Sequence, residues 1–255
     1  MKRWAALILL ALAAACQSPD EIRPRHVLFV GIDVSGSFRK TPQFNDALEF
    51  LSYYLHGHLT GAGELHRLRE LFVGSLGGES VEEAKAFHPI HDFRGKSPAE
   101  IQADLQKWFP PNDRFTDFNI FFKQVAHVSQ QRNLALCPIT VLLVTDGMPD
   151  MPASSGTVVS AARYEIVDLS PMEFLSRNVT LRLLYVSPVV GREWDSAVAR
   201  RRVRLWTADD QVMAGWKAQL AIGLPPERQE RFWAWVRDNV DFRVRAFNIR
   251  SGRKN

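Results

Sequence analysis

His26-Val27-Leu28-Phe29-Val30-Gly31-Ile32 runs directly into Asp33-Val34-Ser35-Gly36-Ser37. The apolar run reads as a strand buried on both faces, the form strands take in a parallel sheet covered by helices. An acid and two hydroxyls follow it at alternate positions and can converge from one side of the strand end. All-oxygen ligands of this kind suit a hard divalent cation such as Mg2+ or Mn2+.

Two later segments carry matching chemistry. Thr116 lies in Phe115-Thr116-Asp117-Phe118, at the start of a helical pattern reaching residue 130. Asp146 ends a second apolar, β-branched run, Ile139-Thr140-Val141-Leu142-Leu143-Val144-Thr145-Asp146-Gly147. In this combination the chain resembles a von Willebrand factor A (VWA) domain with a metal-ion-dependent adhesion site (MIDAS). That family carries Asp-x-Ser-x-Ser, a distant Thr and a strand-ending Asp, usually before Gly. The resemblance implies that Ser35, Ser37 and Thr116 touch Mg2+ or Mn2+ through their hydroxyls. Asp33 and Asp146 would act mainly through bound waters, or one would bind directly. Neutral ligands leave the cation's charge poorly neutralised, so an incoming carboxylate can complete its octahedral shell. The family often has glycines ahead of its Thr; here the flank is Asn112-Asp113-Arg114-Phe115, and Arg114 could compete with the metal or contact an anionic ligand. Asp117 reads as stabilising the first turn of the following helix, the alternative being a further ligand through water. Without a metal, Asp33 and Ser35 would be turn and capping residues.

Outward from these motifs, strand-like runs alternate with helical patterns. That predicts an α/β fold: a Rossmann-like, doubly wound, mostly parallel sheet with helices on both faces. Residues 41–58 carry Phe44, Ala47, Leu48, Leu51, Tyr54 and Leu55 at helical spacing, and residues 71–76 read as a strand. Residues 84–90 fit the short antiparallel edge strand that the resemblance implies. Ser97-Pro98-Ala99-Glu100 is a capping box with Pro at the first helical position, opening a helix to about residue 108. Residues 164–169 read as a short strand, Ser170-Pro171-Met172-Glu173 as a second capping box, and residues 179–186 as a strand. Residues 209–220 and 225–240 read as helices and 241–249 as a last strand. One domain is expected, over 26–249, with no internal repeat.

At the N-terminus, Lys2 and Arg3 precede an apolar stretch, residues 4–15, and then Leu12-Ala13-Ala14-Ala15-Cys16. This resembles a bacterial lipoprotein signal over residues 1–16, with Cys16 the lipidated residue; the stretch is too short to span a bilayer. The plainer alternative is a secretory signal cleaved near Ala15. Residues 17–25 read as a polar tether and 250–255 as a basic tail. Gln17, rather than Asp, resembles lipoproteins sent to the outer membrane. The expected location is therefore the bacterial cell envelope, on the periplasmic side of the outer membrane, held by a lipid anchor. With Cys16 acylated, Cys137 has no disulfide partner, and stability rests on a core that a 46% hydrophobic chain can build. The formal charge of +4 includes Lys2 and Arg3. Basic residues cluster at Arg200-Arg201-Arg202-Val203-Arg204 and in the tail, with no nucleic-acid motif beside them. They read as a solvated face or a contact for anionic lipid or envelope polymer, not as a nucleic-acid site.

The function expected is metal-dependent binding of an acidic group on a protein, or of another anionic ligand, without turnover. Two other classes compete. Asp33-Val34-Ser35 resembles the nucleophile loop of haloacid-dehalogenase-like phosphatases, but those want a second Asp where Ser35 stands. A serine hydrolase lacks its Gly-x-Ser-x-Gly elbow at Ser35 and Ser37. The third reading is a structural docking domain that uses no metal. His88-Pro89-Ile90-His91-Asp92 and His56-Gly57-His58 read as solvated segments rather than metal clusters. Phe115, Phe118, Phe121 and Phe122 read as core packing.

Overall fold

A computed structural model describes residues 24–76, 87–110, 116–149, 162–175 and 179–241. β1 (His26–Ile32) leads into a one-turn helix, α1 (Gly36–Arg39), and a long helix, α2 (Pro42–Thr60). β2 (Leu68–Ser75) and the two-residue β3 (His88–Pro89) follow, then α3 (Pro98–Trp108) and α4 (Phe118–Gln131). β4 (Ile139–Val144), the short α5 (Ala162–Glu165) and α6 (Ser170–Glu173), and β5 (Val179–Val186) come next. α7 (Pro188–Ala197), β6 (Arg204–Asp209), α8 (Asp210–Met213) and α9 (Glu230–Asn239) complete the described elements, with 3-10 turns at Ala62–Glu64, Ile90–Asp92, Lys217–Gln219 and Pro226–Arg228.

The sheet runs β3-β2-β1-β4-β5-β6. Every neighbouring pair is parallel except β2 with β3. Alternate residues of each central strand feed opposite cores. Leu28, Val30, Ile32, Leu142 and Val144 pack with α2 and α9, while Val27, Phe29, Val141 and Leu143 pack with α4 and α7. Both faces are therefore covered, and this is why β1 and β4 are unbroken apolar runs. The chain moves from β1 to β2 on one side and later returns to place β4 on the other. The strand order thus switches between β1 and β4, where open α/β sheets form their clefts.

Several expectations need correction. Residues 164–169 are not a strand: β4 pairs directly with β5, so the sheet has no place for one. Instead Tyr164, Val167 and Leu169 are buried from α5 and the turn after it. The second capping box does not form. Leu169 is the N-cap of α6, and the Glu173 carboxylate accepts the Arg201 and Arg202 backbone N–H groups, both at 2.6 Å. The 209–220 helix shrinks to α8 and a 3-10 turn. β6 and α7 were not anticipated, because an edge strand with only Ala208 buried, and a helix burying only Gly191 and Trp194, leave little apolar pattern. His56-Gly57-His58 lies inside α2, and His58 is buried, its Nδ1–H donating to the His66 carbonyl at 2.8 Å. The edge strand is antiparallel as expected but short; residues 77–86, like 242–249 of the expected last strand, lie outside the described residues. Among the described residues no helix is long and apolar enough to cross a membrane.

One contact between helices depends on a glycine. A Cβ at Gly57 of α2 would lie 2.6 Å from two Trp233 ring carbons and 2.9 Å from Leu65. Gly57→Ala gains about 1 kcal/mol of helix propensity but overpacks a site where such insertion costs about 1–3 kcal/mol. The clash should win, and urea unfolding of the variant should show a lowered midpoint with an unchanged slope.

Candidate metal centre

Asp33 leaves the end of β1, its N–H donating to the Val144 carbonyl at 2.9 Å. Its side chain is fully buried. Oδ1 accepts the Ser35 N–H at 2.9 Å and the Thr116 hydroxyl at 3.2 Å, and Oδ2 accepts the Thr145 hydroxyl at 2.6 Å. Ser35 Oγ lies 3.1 Å from Ser37 Oγ. Ser35 and Thr116 are buried, while Ser37 is exposed, so the hydroxyl set opens to solvent on one side.

Thr116 is carried to the site by backbone pairing, since the N–H of Asp117 donates to the Leu76 carbonyl at 3.2 Å, just past the end of β2. The Asp117 carboxylate then accepts the Ile120 N–H at 3.0 Å. It caps α4, as expected, and is occupied there.

Asp146 is half-buried in the loop after β4. Its Oδ1 accepts the Met148 N–H at 3.0 Å. Gly147 sits at φ +76, a left-handed conformation that glycine adopts without strain. A Cβ there would also lie 2.8 Å from both Val186 and Val190. Trp194 Nε1–H donates to the Gly147 carbonyl at 2.7 Å and fixes the loop.

The fold thus joins Asp33, Ser35, Ser37 and Thr116 in one hydrogen-bonded set, with Asp146 near enough to act on Asp33 electrostatically. Thr145 belongs to the same set and was missed. Its hydroxyl donates to Asp33 and accepts the Gly147 N–H at 2.8 Å, tying the two acidic loops together. The available signal was a hydroxyl directly after the strand and directly before Asp146. Arg114 and Cys16 lie outside the described residues.

Burial is the main influence on the Asp33 carboxyl, and it raises the pKa above the ordinary 3.8. Hydrogen bonds from Thr145 and Ser35 oppose the rise, and the neighbouring Asp146 adds to it. Among the described residues the hydrogen-bond partners of Asp33 are neutral donors, not cations. A buried carboxylate held by neutral donors, with a second carboxylate acting on it electrostatically, carries a charge-burial cost that a bound cation would offset. Hydroxyls of Ser35, Ser37 and Thr116 supply oxygens at the same place. The residues therefore fit a hard divalent cation, by charge and by donor type. Among the described residues there is no group of three or more His, Cys, Asp and Glu that could hold a metal ion, so the oxygen set here rests on hydroxyls with Asp33 and Asp146. His88 is used otherwise: its ring stacks on Trp108 at 3.9 Å and its Nδ1 pairs with Asp92 at 3.2 Å.

The raised pKa has a defined sign. Folding takes up a proton at Asp33 between pH 3.8 and the folded-state value, so the cation-free fold loses stability as pH rises through that window. Above it the penalty is fully present. In chelator, Asp33→Asn should therefore gain on the unmutated protein as pH rises above 3.8, then hold a constant advantage. Thermal melts of both proteins across a pH series measure the difference, and a difference that shrinks with pH contradicts the assignment.

No family model matches the chain, and no curated protein matches it. Solved structures share its fold. The pilus adhesin SpaC from Lactobacillus rhamnosus GG aligns with a TM-score of 0.50 at 10% identity, over 78% of this chain and 30% of its own. Proximal thread matrix protein 1 from the mussel byssus, with a zinc-occupied MIDAS motif, aligns at 0.43 and 14% identity over 74% of this chain and 45% of its own. The SpRpn10 VWA domain aligns at 0.42 and 11% identity over 73% of this chain and 88% of its own. The chain thus spans less than half the length of the adhesin and of the mussel protein. Likeness at these identities concerns the fold alone: a VWA-like, mostly parallel α/β sheet with helices on both faces.

Proposed function

We propose that the chain is a metal-dependent binding domain, not an enzyme, in which Asp33, Ser35, Ser37, Thr116 and Asp146 hold Mg2+ or Mn2+. The observation that carries this reading is the buried Asp33 carboxylate, satisfied by neutral donors and set beside the paired Ser35 and Ser37 hydroxyls. When bound, the cation supplies a Lewis-acidic position for an acidic side chain of a protein partner or another anionic ligand. Ser35, Ser37 and Thr116 are the direct ligands in this reading. Asp33 and Asp146 orient bound waters and balance charge. Hard oxygen donors favour Mg2+ or Mn2+ over zinc. Phosphatase chemistry at Asp33 is disfavoured, because the place of the second acid is held by Ser35, whose Oγ pairs with Ser37.

The domain is further proposed to work in a bacterial envelope, on the periplasmic side of the outer membrane. Lys2, Arg3, the apolar stretch and Cys16 support a lipid anchor, with residues 17–25 as tether, 26–249 as the domain and 250–255 as a basic tail.

Two experiments test these statements. Mn2+ at about a hundred times its Kd should stabilise the full-length chain by about 2.7 kcal/mol, raising Tm by several degrees. Ser35→Ala should abolish that shift while leaving the melt in chelator intact, and a pull-down from envelope extract should lose its partner when chelator is added. Equal melts with metal and with chelator in the unmutated chain would exclude the metal reading. Separately, Cys16→Ser should eliminate labelling by an alkynyl fatty acid and release the chain from the membrane fraction. Undiminished labelling would rule out Cys16 as the acylated residue.

A further inference from the structure

We propose that Tyr185 is the positioning residue of the metal centre, setting the spacing of the loops that carry its ligands; this rests on the metal-binding reading above. Tyr185 lies near the carboxyl end of β5 at φ +70. Left-handed backbone is rare for a bulky residue inside a strand. The other non-glycine residues with positive φ among those described are Glu64, in a 3-10 turn, and Asn133, in the turn after α4.

The conformation has a local consequence. The pairing of β5 with β6 slips between Leu184 and Val186, leaving Tyr185 as a bulge. Strand alternation would send Tyr185 to the face opposite Leu184. Instead Leu184 and Tyr185 both enter the core beneath α2, and Val186 enters the opposite core.

These consecutive residues reach both loops of the centre. The Leu184 carbonyl accepts the Thr145 N–H at 3.2 Å. The Tyr185 ring lies 6.2 Å from that of Phe38, the residue immediately after Ser37. Val186 packs against Gly147, the residue after Asp146, so closely that a Cβ there would lie 2.8 Å away. One irregular turn of strand therefore supports the Asp33 loop and the Asp146 loop together.

What holds the bulge is a hydrogen bond across the core. The Tyr185 hydroxyl donates to Asp46 Oδ2 on α2 at 2.7 Å. Burial and the Asp46 carboxylate push the phenol well above its ordinary pKa, so it remains a donor. Asp46 is itself fixed by Trp216 Nε1–H at 2.8 Å and by Lys217 Nζ at 3.0 Å. The centre's geometry is thereby referred to a rigid point on the longest helix, rather than to the loops themselves.

The test measures cation affinity apart from folding. Free Mn2+ is followed by electron paramagnetic resonance during titration of the full-length chain, and each protein is also melted in chelator. Tyr185→Phe keeps the ring and removes the donor; Asp46→Ala removes the acceptor. Each should weaken Mn2+ binding about tenfold, the low end for groups that orient metal ligands. The double variant should bind no more weakly than either single one, because both remove the same bond. Asp46→Asn keeps an acceptor oxygen and should bind as the unmutated chain does. Affinity within twofold of the parent in Tyr185→Phe would overturn the proposal, as would additive losses, an Asp46→Asn defect equal to that of Asp46→Ala, or loss of the cooperative melt in chelator. An unmutated chain that takes up no Mn2+ would instead sink the metal reading itself.

Discussion

The placement of one carboxylate organises the upper edge of this molecule. Asp33 is fully buried where the strand order switches, and its oxygens are shared among one backbone N–H and two threonine hydroxyls. Each donor comes from a different segment: the loop that bears the serines, the start of α4, and the end of β4. Removing the carboxylate would leave the hydroxyls of Thr116 and Thr145 without the acceptor that aligns them. Burying it costs free energy that neutral donors only partly offset. That residual cost distinguishes a structural turn from a site built for a counter-charge, since a turn could be made with a neutral Asn or Ser at the same position.

The parts of the fold that could be read in the sequence are those where a single physical demand dominates. β1 and β4 are buried on both faces, so their apolar runs are continuous and their polar ends stand out. The box at Ser97 and Glu100 is local chemistry, and it forms with both partners in place. Asp33, Ser35 and Ser37 sit within one loop, and their spacing alone suggests convergence. Thr116 and Asp146 are different. Nothing local relates them to Asp33: Asp146 is linked to it by ending a parallel strand on the same edge of the sheet, and Thr116 by the family pattern.

The elements that escaped the sequence reading are those whose signal is tertiary. β6 is exposed along most of its length, so it lacks both the apolar run of a central strand and a clean alternation. Glu173 occupies the right position for a capping box, yet two backbone N–H groups from the Arg201 and Arg202 turn compete for it and win. The contact uses the backbone of Arg201 and Arg202, whose side chains remain exposed. Arg200 is engaged too, reaching the carbonyls of Asp195 and Val198 and the Asp195 carboxylate. Tyr185 gives no sign of its backbone conformation in the sequence, because the bulge depends on an aspartate on another element.

The two ends of the sheet handle buried polarity in opposite ways. At the amino end, Arg182 and Asp241 form a buried pair 3.5 Å apart, and Tyr54 also donates to Asp241 at 3.5 Å. Burial, with His58 beside it, pushes His26 down to about 3, and burial likewise lowers His58, so both rings are neutral at ordinary pH. Charge there meets opposite charge, and groups that would be unbalanced lose their proton. At the carboxyl end, burial raises the Asp33 carboxyl above its ordinary pKa and the charge of Asp146 adds to the rise, while the hydrogen-bond partners of Asp33 among the described residues are neutral donors. The Asp33 charge is thus met by hydrogen-bond donors, where the Asp241 charge is met by the Arg182 guanidinium. Burying a carboxylate among neutral donors alone carries a free-energy cost that an ion pair would offset, and the proposed cation site rests on that difference between the two ends.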